Sequence, residues 1–215
     1  MLWQALAIGP ELQAGALILG LAIAVILHEV AHGYAALRLG DPTAYYAGRL
    51  TLNPVKHIDL WGTILIPGFL ILAGSGFVIG WAKPVPVNYY NLRGGRWGPL
   101  LVAIAGPATN LMLLAFFGWL VRLSPAGTAL PYLFYTVAVV NGVLMLFNLI
   151  PIPPLDGSKV LYVFLDQRPE VVQWLEQYGL YLMIGVLLFG QSLLQYLVFH
   201  PALALVRFFA GPLLF

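Results

Sequence analysis

The residues best suited to chemistry in this sequence are His28, Glu29 and His32, which form the pattern H-E-x-x-H. In a helix, a spacing of four places both imidazoles one turn apart on the same face, where they can bind one tetrahedral cation. Glu29 lies between them and is close enough to act as a general base on water that the cation activates. The pattern therefore predicts a site for one Zn²⁺ per chain that hydrolyses peptide bonds.

A catalytic zinc needs a third protein ligand, and Asp156 stands out as the candidate. It lies in PPLDG, where the prolines disfavour regular helix and Gly157 permits close approach of another part of the chain. The alternative is an ordinary Asp-Gly turn at a helix end. Because the chain has no cysteine, only histidines and carboxylates are available as ligands. The remaining acids are interpreted more simply as solvated loop residues: Asp41, Asp59, Asp166, Glu170 and Glu176.

The composition indicates that these residues are positioned inside a membrane. Of the 215 residues 61% are hydrophobic and only 8% are charged, which a soluble domain could not cover with a polar surface. The net charge of +2 is small and the basic residues are scattered, so a nucleic-acid-binding face is excluded. The chain is expected to be an integral membrane protein that has the lipid bilayer as its partner.

The apolar stretches predict an all-α polytopic fold in a single transmembrane domain, residues 1–215. About four membrane-spanning helices are expected, at residues 11–39, 99–123, 131–150 and 178–199. Residues 60–81 are apolar but interrupted by Pro and Gly, which favours a re-entrant segment. Two smaller elements are expected at the membrane surface: a β-hairpin or edge strand within residues 43–53, and an interfacial helix within residues 201–215.

The metal-binding pattern follows the apolar run AGALILGLAIAVIL directly. Burying an ionisable group in a membrane costs about 2 to 3 kcal/mol, so a purely structural role for three such groups within five residues is disfavoured. The alternative is a helix that surfaces early and places both histidines among the lipid headgroups.

The expected ligands can meet only if residues 60–81 turn back within the membrane. His28 and His32 lie near the C-terminal end of their helix, and the helix at residues 131–150 must deliver Asp156 to that same side. The re-entrant topology also places eight of the ten Lys and Arg residues on the side of the site, as the positive-inside rule predicts for the cytosolic face. These eight are Arg38, Arg49, Lys56, Lys83, Arg93, Arg96, Lys159 and Arg168. The active site is therefore expected to face the cytosol.

Three further polar residues are candidates for substrate binding. Asn110 and Asn148 lie in or at the end of apolar helices, where they would either polarise the scissile carbonyl or form hydrogen bonds between helices. His57, in the loop NPVKHID, would orient substrate or a carboxylate, although a surface loop histidine is the simpler interpretation.

Three motifs together resemble the site-2 protease family of intramembrane zinc metalloproteases. HEVAHG resembles the zinc helix of that family, AGPATN its G-P-x-x-N helix, and NLIPIPPLDG its N-x-x-P-x-x-x-L-D-G motif. The motifs occur in the family's order, and NPVKHID and GWAKPVPVN resemble its compact bacterial branch. The resemblance implies a membrane core in the bacterial inner (plasma) membrane, with His28, His32 and Asp156 as zinc ligands and Glu29 as the catalytic base.

A site in the bilayer implies substrates in the bilayer, and the expected partners are transmembrane segments of other proteins. Such a helix must unwind before cleavage, and residues 43–53 or 83–88 could pair with the extended chain. Two alternatives remain: a metal-ion transporter and an inactive scaffold that binds client helices. A transporter needs ligands along a path, whereas these are concentrated at one end of a helix. The intact Glu29 argues against an inactive scaffold.

Overall fold

The computed structural model describes residues 9–74, 80–125 and 127–211, and these residues form helices, turns and extended segments but no β-strand. Five of the helices they form are long and apolar enough to cross a membrane, so the protein is an integral membrane protein of the all-α class. In chain order the helices are α1 (Pro10–Arg38), α2 (Thr43–Tyr46), α3 (Leu60–Leu72), α4 (Trp97–Leu123), α5 (Leu130–Asn148), α6 (Gly157–Phe164), α7 (Pro169–Phe189) and α8 (Gln191–Ala210).

Helix α1 carries the H-E-x-x-H pattern in its last third. Pro10 stands at its first position and Glu11 places a negative charge on its first turn, both of which favour a helix start. The helix ends at Arg38, shortly before Gly40, whose φ is +104°. Its 29 residues extend about 44 Å, which exceeds the hydrocarbon core of about 30 Å.

Helices α1, α4 and α5 form the central bundle, and α8 packs on α4 and α5. Small residues let the helices approach closely: Gly118 on α4 faces Phe209, and Gly142 on α5 faces Ala202. Helix α8 therefore runs in the same direction as α4. A buried cluster fills the contact between these helices: Leu114, Val121, Ala138, Val206 and Ala210.

After α3 the chain comes back to the start of that helix at Trp81, which confirms the re-entrant prediction. The amide of Trp81 donates to the carbonyl of Gly62 over 3.0 Å, and the Thr63 hydroxyl donates to the carbonyl of Trp81 over 2.8 Å. A side chain at Gly62 would collide with the Trp81 ring. Helix α3 itself, with about 1.5 Å of rise per residue, is too short to cross the hydrocarbon core.

The predicted β element at residues 43–53 is wrong, because the chain forms the short helix α2 there. Asp41 accepts hydrogen bonds from the Thr43 amide and hydroxyl, which starts a helical turn, and Gly48, with φ of +62°, follows its end. Tyr45 and Tyr46 are exposed, as aromatic side chains at a membrane surface commonly are.

The predicted last span at residues 178–199 and the predicted interfacial helix at residues 201–215 are also wrong. Helix α7 ends at Phe189, Gly190 separates it from the next helix, and α8 continues through Pro201 to Ala210. A wide π-helical turn at Gln195–Phe199 accommodates the proline, so Pro201 does not end the helix. Residues 212–215 lie outside the described residues.

Candidate metal centre

Three potential ligand atoms converge where α1 meets the N-terminus of α6. His28 Nε2 lies 3.1 Å and His32 Nε2 lies 3.3 Å from Asp156 Oδ2, and the two Nε2 atoms are 2.9 Å apart. Both histidines are buried and Asp156 is partly buried. The structure therefore brings together the three residues that the sequence proposes as metal ligands.

The hydrogen bonds behind the two imidazoles determine where their protons lie. His32 Nδ1 lies 2.7 Å from the carbonyl of Val102, and a carbonyl can only accept, so this nitrogen carries a proton. His28 Nδ1 lies 2.6 Å from Asn110 Oδ1 and donates to it in the same way. With a proton on Nδ1, each ring can offer the lone pair of Nε2 to a cation inside the triangle of ligand atoms, as metal-binding histidines do.

The donor set fits zinc. Two imidazole nitrogens and one carboxylate oxygen leave the fourth position of a tetrahedral ion open, which is the composition of catalytic zinc sites. Bonds of about 2.0–2.1 Å to such an ion separate neighbouring ligand atoms by about 3.3 Å, close to the observed 2.9 to 3.3 Å. Asp156 Oδ2 is buried and has no hydrogen-bond partner among the described residues, so a cation at this point would satisfy it.

Helix α4 reaches the centre because residue 106 is glycine. A Cβ atom at Gly106 would lie 2.5 Å from His32 Nε2 and 2.6 Å from His28 Cε1. Any side chain here would occupy the space of the two imidazoles. The sequence AGPATN thus supplies two things one turn apart: the absence of a side chain at Gly106 and the acceptor oxygen of Asn110.

Glu29 lies beside the ligands and binds the extended segment at residues 83–88. Its Oε2 accepts the Val85 amide over 2.7 Å. Along this segment alternate amides donate to the protein, since Trp81 donates to Gly62 and Lys83 donates to the carbonyl of His57 over 2.9 Å. Pro84 lies between Lys83 and Val85, and Pro86 follows Val85. The candidate base is therefore held by the backbone of this segment.

Asp41 anchors the same segment at its far end. This side chain is fully buried, so its interpretation as a solvated loop residue is wrong. Its Oδ2 accepts the Asn88 amide over 2.7 Å, and its Oδ1 accepts the Asn91 side-chain amide over 3.0 Å. Burial alone would raise the pKa of Asp41, but hydrogen bonds from Thr43, Asn91 and Asn88 lower it below its ordinary value.

We expect Asp41→Asn to destabilise the protein by about 1–3 kcal/mol, because its new amide would face the Asn88 amide and leave that N–H without an acceptor. The thermal midpoint in detergent should fall at neutral pH. Since folding lowers the pKa of Asp41, its contribution is complete above the ordinary Asp pKa and is lost as the pH falls through the lowered value. The difference between wild type and variant should therefore shrink in acid. Asp166→Asn, at an exposed residue, is the matched control, and equal midpoints for Asp41→Asn and wild type at neutral pH would contradict the expectation.

The rim of the site on the α6 side is polar and aromatic. Lys159, three residues after Asp156, places its ammonium 5.6 Å from the Tyr89 ring and 4.8 Å from the Tyr162 ring, and it donates to Glu176 over 2.7 Å. Burial and the charge of Asp156 raise the pKa of Tyr89. The Tyr89 hydroxyl therefore keeps its proton at neutral pH.

The three candidates for substrate binding differ in their hydrogen-bond partners and burial. Asn110 lies behind His28, and both N–H groups of its side-chain amide already have acceptors. Its Nδ2 donates to the Ala24 carbonyl over 3.1 Å and to Asn141 Oδ1 over 2.9 Å. Asn148 donates to the Leu144 carbonyl of its own helix over 3.0 Å. His57 is only 3% exposed, so its interpretation as a surface loop histidine is wrong.

The His57 ring binds the backbone and not the metal ligands. Its Nε2 lies 2.8 Å from the Thr51 carbonyl, and its Nδ1 has no partner within the described part of the chain. No hydrogen bond or ion pair in that part joins His57 to the three ligands.

Sequence reasoning missed Asn141, which stands in the middle of α5 and is fully buried. The available signal was an amide within the apolar stretch VAVVNGVLML, since a polar residue inside a membrane helix needs a partner. The partner is Asn110, on the neighbouring helix.

Comparisons with known proteins relate the chain to a family of peptidases. The profile of peptidase family M50 matches residues 122–190. This range includes Asp156 but not the two histidines of α1. The candidate zinc metalloprotease YwhC of Bacillus subtilis (strain 168) is 43% identical over 155 residues, which cover 67% of this chain and 67% of that protein. The candidate zinc metalloprotease Rip2 of Mycolicibacterium smegmatis is 32% identical over 182 residues, 82% of this chain and 67% of that protein.

An archaeal protein shows a similar relationship. The candidate zinc metalloprotease MJ0611 of Methanocaldococcus jannaschii is 30% identical over 139 residues, 63% of each chain. No solved structure matches the chain significantly. The two relatives with 43% and 32% identity, each covered over two thirds of its length, decide the classification. The chain belongs to peptidase family M50, the family of site-2 proteases that its motifs resemble.

Proposed function

We propose that this protein is an intramembrane zinc metalloprotease that hydrolyses peptide bonds in or near transmembrane segments of other membrane proteins. The observation that carries the proposal is the convergence of two imidazole nitrogens and one carboxylate oxygen beside Glu29, within a bundle of apolar helices. The family relationship supports the same activity. We treat residues 1–215 as one protease domain.

His28, His32 and Asp156 would hold one zinc ion. When bound, zinc supplies Lewis acidity that polarises the scissile carbonyl and favours deprotonation of water. Glu29 takes a proton from the attacking water and passes it to the departing amine as the C–N bond breaks. Because the Val85 amide holds Oε2, we assign Oε1 of Glu29 to this proton transfer.

Two other polar groups are proposed to act on the substrate. The Asn148 side-chain amide uses one N–H within its own helix, and its second N–H can donate to the scissile carbonyl. His57 is proposed to position the substrate through the loop at Pro54–His57, whose backbone binds the segment at residues 83–88. For Asn110 the hydrogen bonds support a different role from carbonyl polarisation, namely orientation of His28.

The charge distribution supports one orientation of the protein in the membrane. Asp156 lies at the end of the bundle where α1 and α5 terminate, and the basic residues on that side outnumber those on the other. We propose that this end faces the cytosol and that the protein resides in the bacterial inner (plasma) membrane. Substrate helices would then be cleaved near the cytosolic surface.

Cleavage of membrane-embedded substrates tests the proposal directly. Purified protein, reconstituted in vesicles with a panel of single-span substrates, should release shortened products. A zinc chelator should abolish the release, and added Zn²⁺ should restore it. A parallel measurement of zinc flux into the vesicles distinguishes the rival function. Zinc transport without any cleavage would overturn the protease proposal and favour a transporter, whereas zinc binding without cleavage or flux would favour a scaffold.

A further inference from the structure

Asn141 is a buried polar residue that belongs to none of the sequence motifs. It lies on α5 with no exposed surface, four helices after the histidines of α1 in the chain. Its Oδ1 accepts the Asn110 side-chain amide over 2.9 Å, and its Nδ2 donates to the Val137 carbonyl over 2.8 Å. Both ends of this amide are therefore engaged.

The direction of these hydrogen bonds is fixed at both ends by backbone carbonyls, which can only accept. The Val137 carbonyl requires the nitrogen of Asn141, so the oxygen of Asn141 faces Asn110. The Ala24 carbonyl requires the nitrogen of Asn110, which lies 3.1 Å away. Asn110 consequently presents its oxygen to His28 Nδ1, 2.6 Å away.

We propose that Asn141 is a positioning residue that acts through Asn110 to keep the proton of His28 on Nδ1, so that Nε2 is free to bind zinc. His32 needs no such relay, because the Val102 carbonyl holds its Nδ1 directly. The two histidines are thus oriented by different means. The inference rests on the proposed function only in taking His28 as a zinc ligand.

A side chain that only filled space would not need this polarity. Leucine has the same number and branching of non-hydrogen side-chain atoms as asparagine, and it needs no hydrogen-bond partner inside a membrane helix. If Asn141 served packing alone, Asn141→Leu would leave the His28 hydrogen bond intact. If the relay operates, this variant removes one of the two acceptors of the Asn110 side-chain amide. The Asn110 oxygen that faces His28 is then held less firmly in place.

The test follows the imidazole protons by NMR in zinc-loaded protein labelled with ¹⁵N-histidine. The chain has four histidines, so the spectrum is simple, and His32 serves as an internal reference. In wild type, the Nδ1 protons of His28 and His32 should both exchange slowly with water. In Asn141→Leu, the His28 proton should exchange faster or lose its signal while the His32 signal stays unchanged. The zinc affinity, measured by chelator competition, should fall about 10- to 100-fold.

Two further variants complete the test. Thr136→Val, which removes a hydroxyl that donates only to the Tyr132 carbonyl of α5, should keep both signals and the zinc affinity. In Asn141→Asp, a neutral carboxyl can still accept from Asn110 and donate to Val137, so the His28 signal should return. Unchanged exchange and affinity in Asn141→Leu, or loss of the His28 signal in Asn141→Asp as well, would overturn the relay. Neither readout requires proteolysis, so failure of the relay is distinguishable from failure of the protease proposal.

Discussion

Glu29→Gln is expected to keep its zinc and to lose at least about a thousandfold in cleavage rate, within the range that a general base contributes. The substitution preserves the size of the side chain, and its oxygen can still accept the Val85 amide, as Oε2 of Glu29 does. It removes only the ability to take a proton from water. Metal content by elemental analysis and cleavage of single-span substrates should be measured on the same preparation.

The matched control is Glu11→Gln, the same chemical change in the first turn of α1, at the opposite end from the histidines. It should bind zinc and cleave substrates as wild type does. Undiminished cleavage by Glu29→Gln would remove Glu29 from the mechanism. Loss of zinc from that variant would mean that Glu29 holds the metal, and the ligand assignment would then be wrong.

Gly106→Ala is expected to abolish zinc binding and, with it, cleavage. The added methyl group would lie 2.5 Å from His32 Nε2, far inside van der Waals contact. The rings cannot simply turn away, because the Val102 carbonyl and Asn110 hold their Nδ1 atoms. Either α4 moves outward or the imidazoles leave the triangle that they form with Asp156. We expect the zinc affinity to fall more than about 100-fold, the upper end of effects seen when ligand orientation is disturbed.

Gly15→Ala provides the control for this substitution. Residue 15 also lies within a long apolar helix, and a Cβ atom there would meet no other atom within 4 Å. That variant should keep its zinc and should fold at least as well as wild type, because alanine favours helix more than glycine does. If Gly106→Ala bound zinc as tightly as wild type, α4 could not lie as close to the imidazoles as the structure places it.

The ligand-bearing residues were predictable because their chemistry conflicts with their surroundings. His28 and His32 follow a run of apolar residues, and Asp156 follows prolines that interrupt a helix. The turning back of residues 60–81 was also predictable, since the ligands and the basic residues require the same topology. These predictions depended on the cost of burying charge, which a sequence displays directly.

The elements that escaped prediction depend on single contacts. Gly190 separates α7 from α8 inside a stretch whose hydropathy varies little, and a π-helical turn carries α8 through Pro201. In the sequence Asp41 resembles a loop residue, because the Asn88 and Asn91 amides that donate to it lie far away in the chain. Asn141 acquires its role only through Asn110, which lies 31 positions away in the chain.

The prolines at residues 84 and 86 also affect how this protein can meet other copies of itself. An exposed extended segment at the edge of a fold can pair with the same segment of another chain, because each offers backbone donors and acceptors to the other. Here the amides of Lys83 and Val85 are turned into the protein, and the two prolines that flank Val85, Pro84 and Pro86, have no N–H to offer. Over residues 83–86, two such segments laid side by side would face each other with carbonyls and no free N–H to bridge them. In a crowded membrane, that shortage of donors protects the protein from edge-to-edge aggregation beside its own active site.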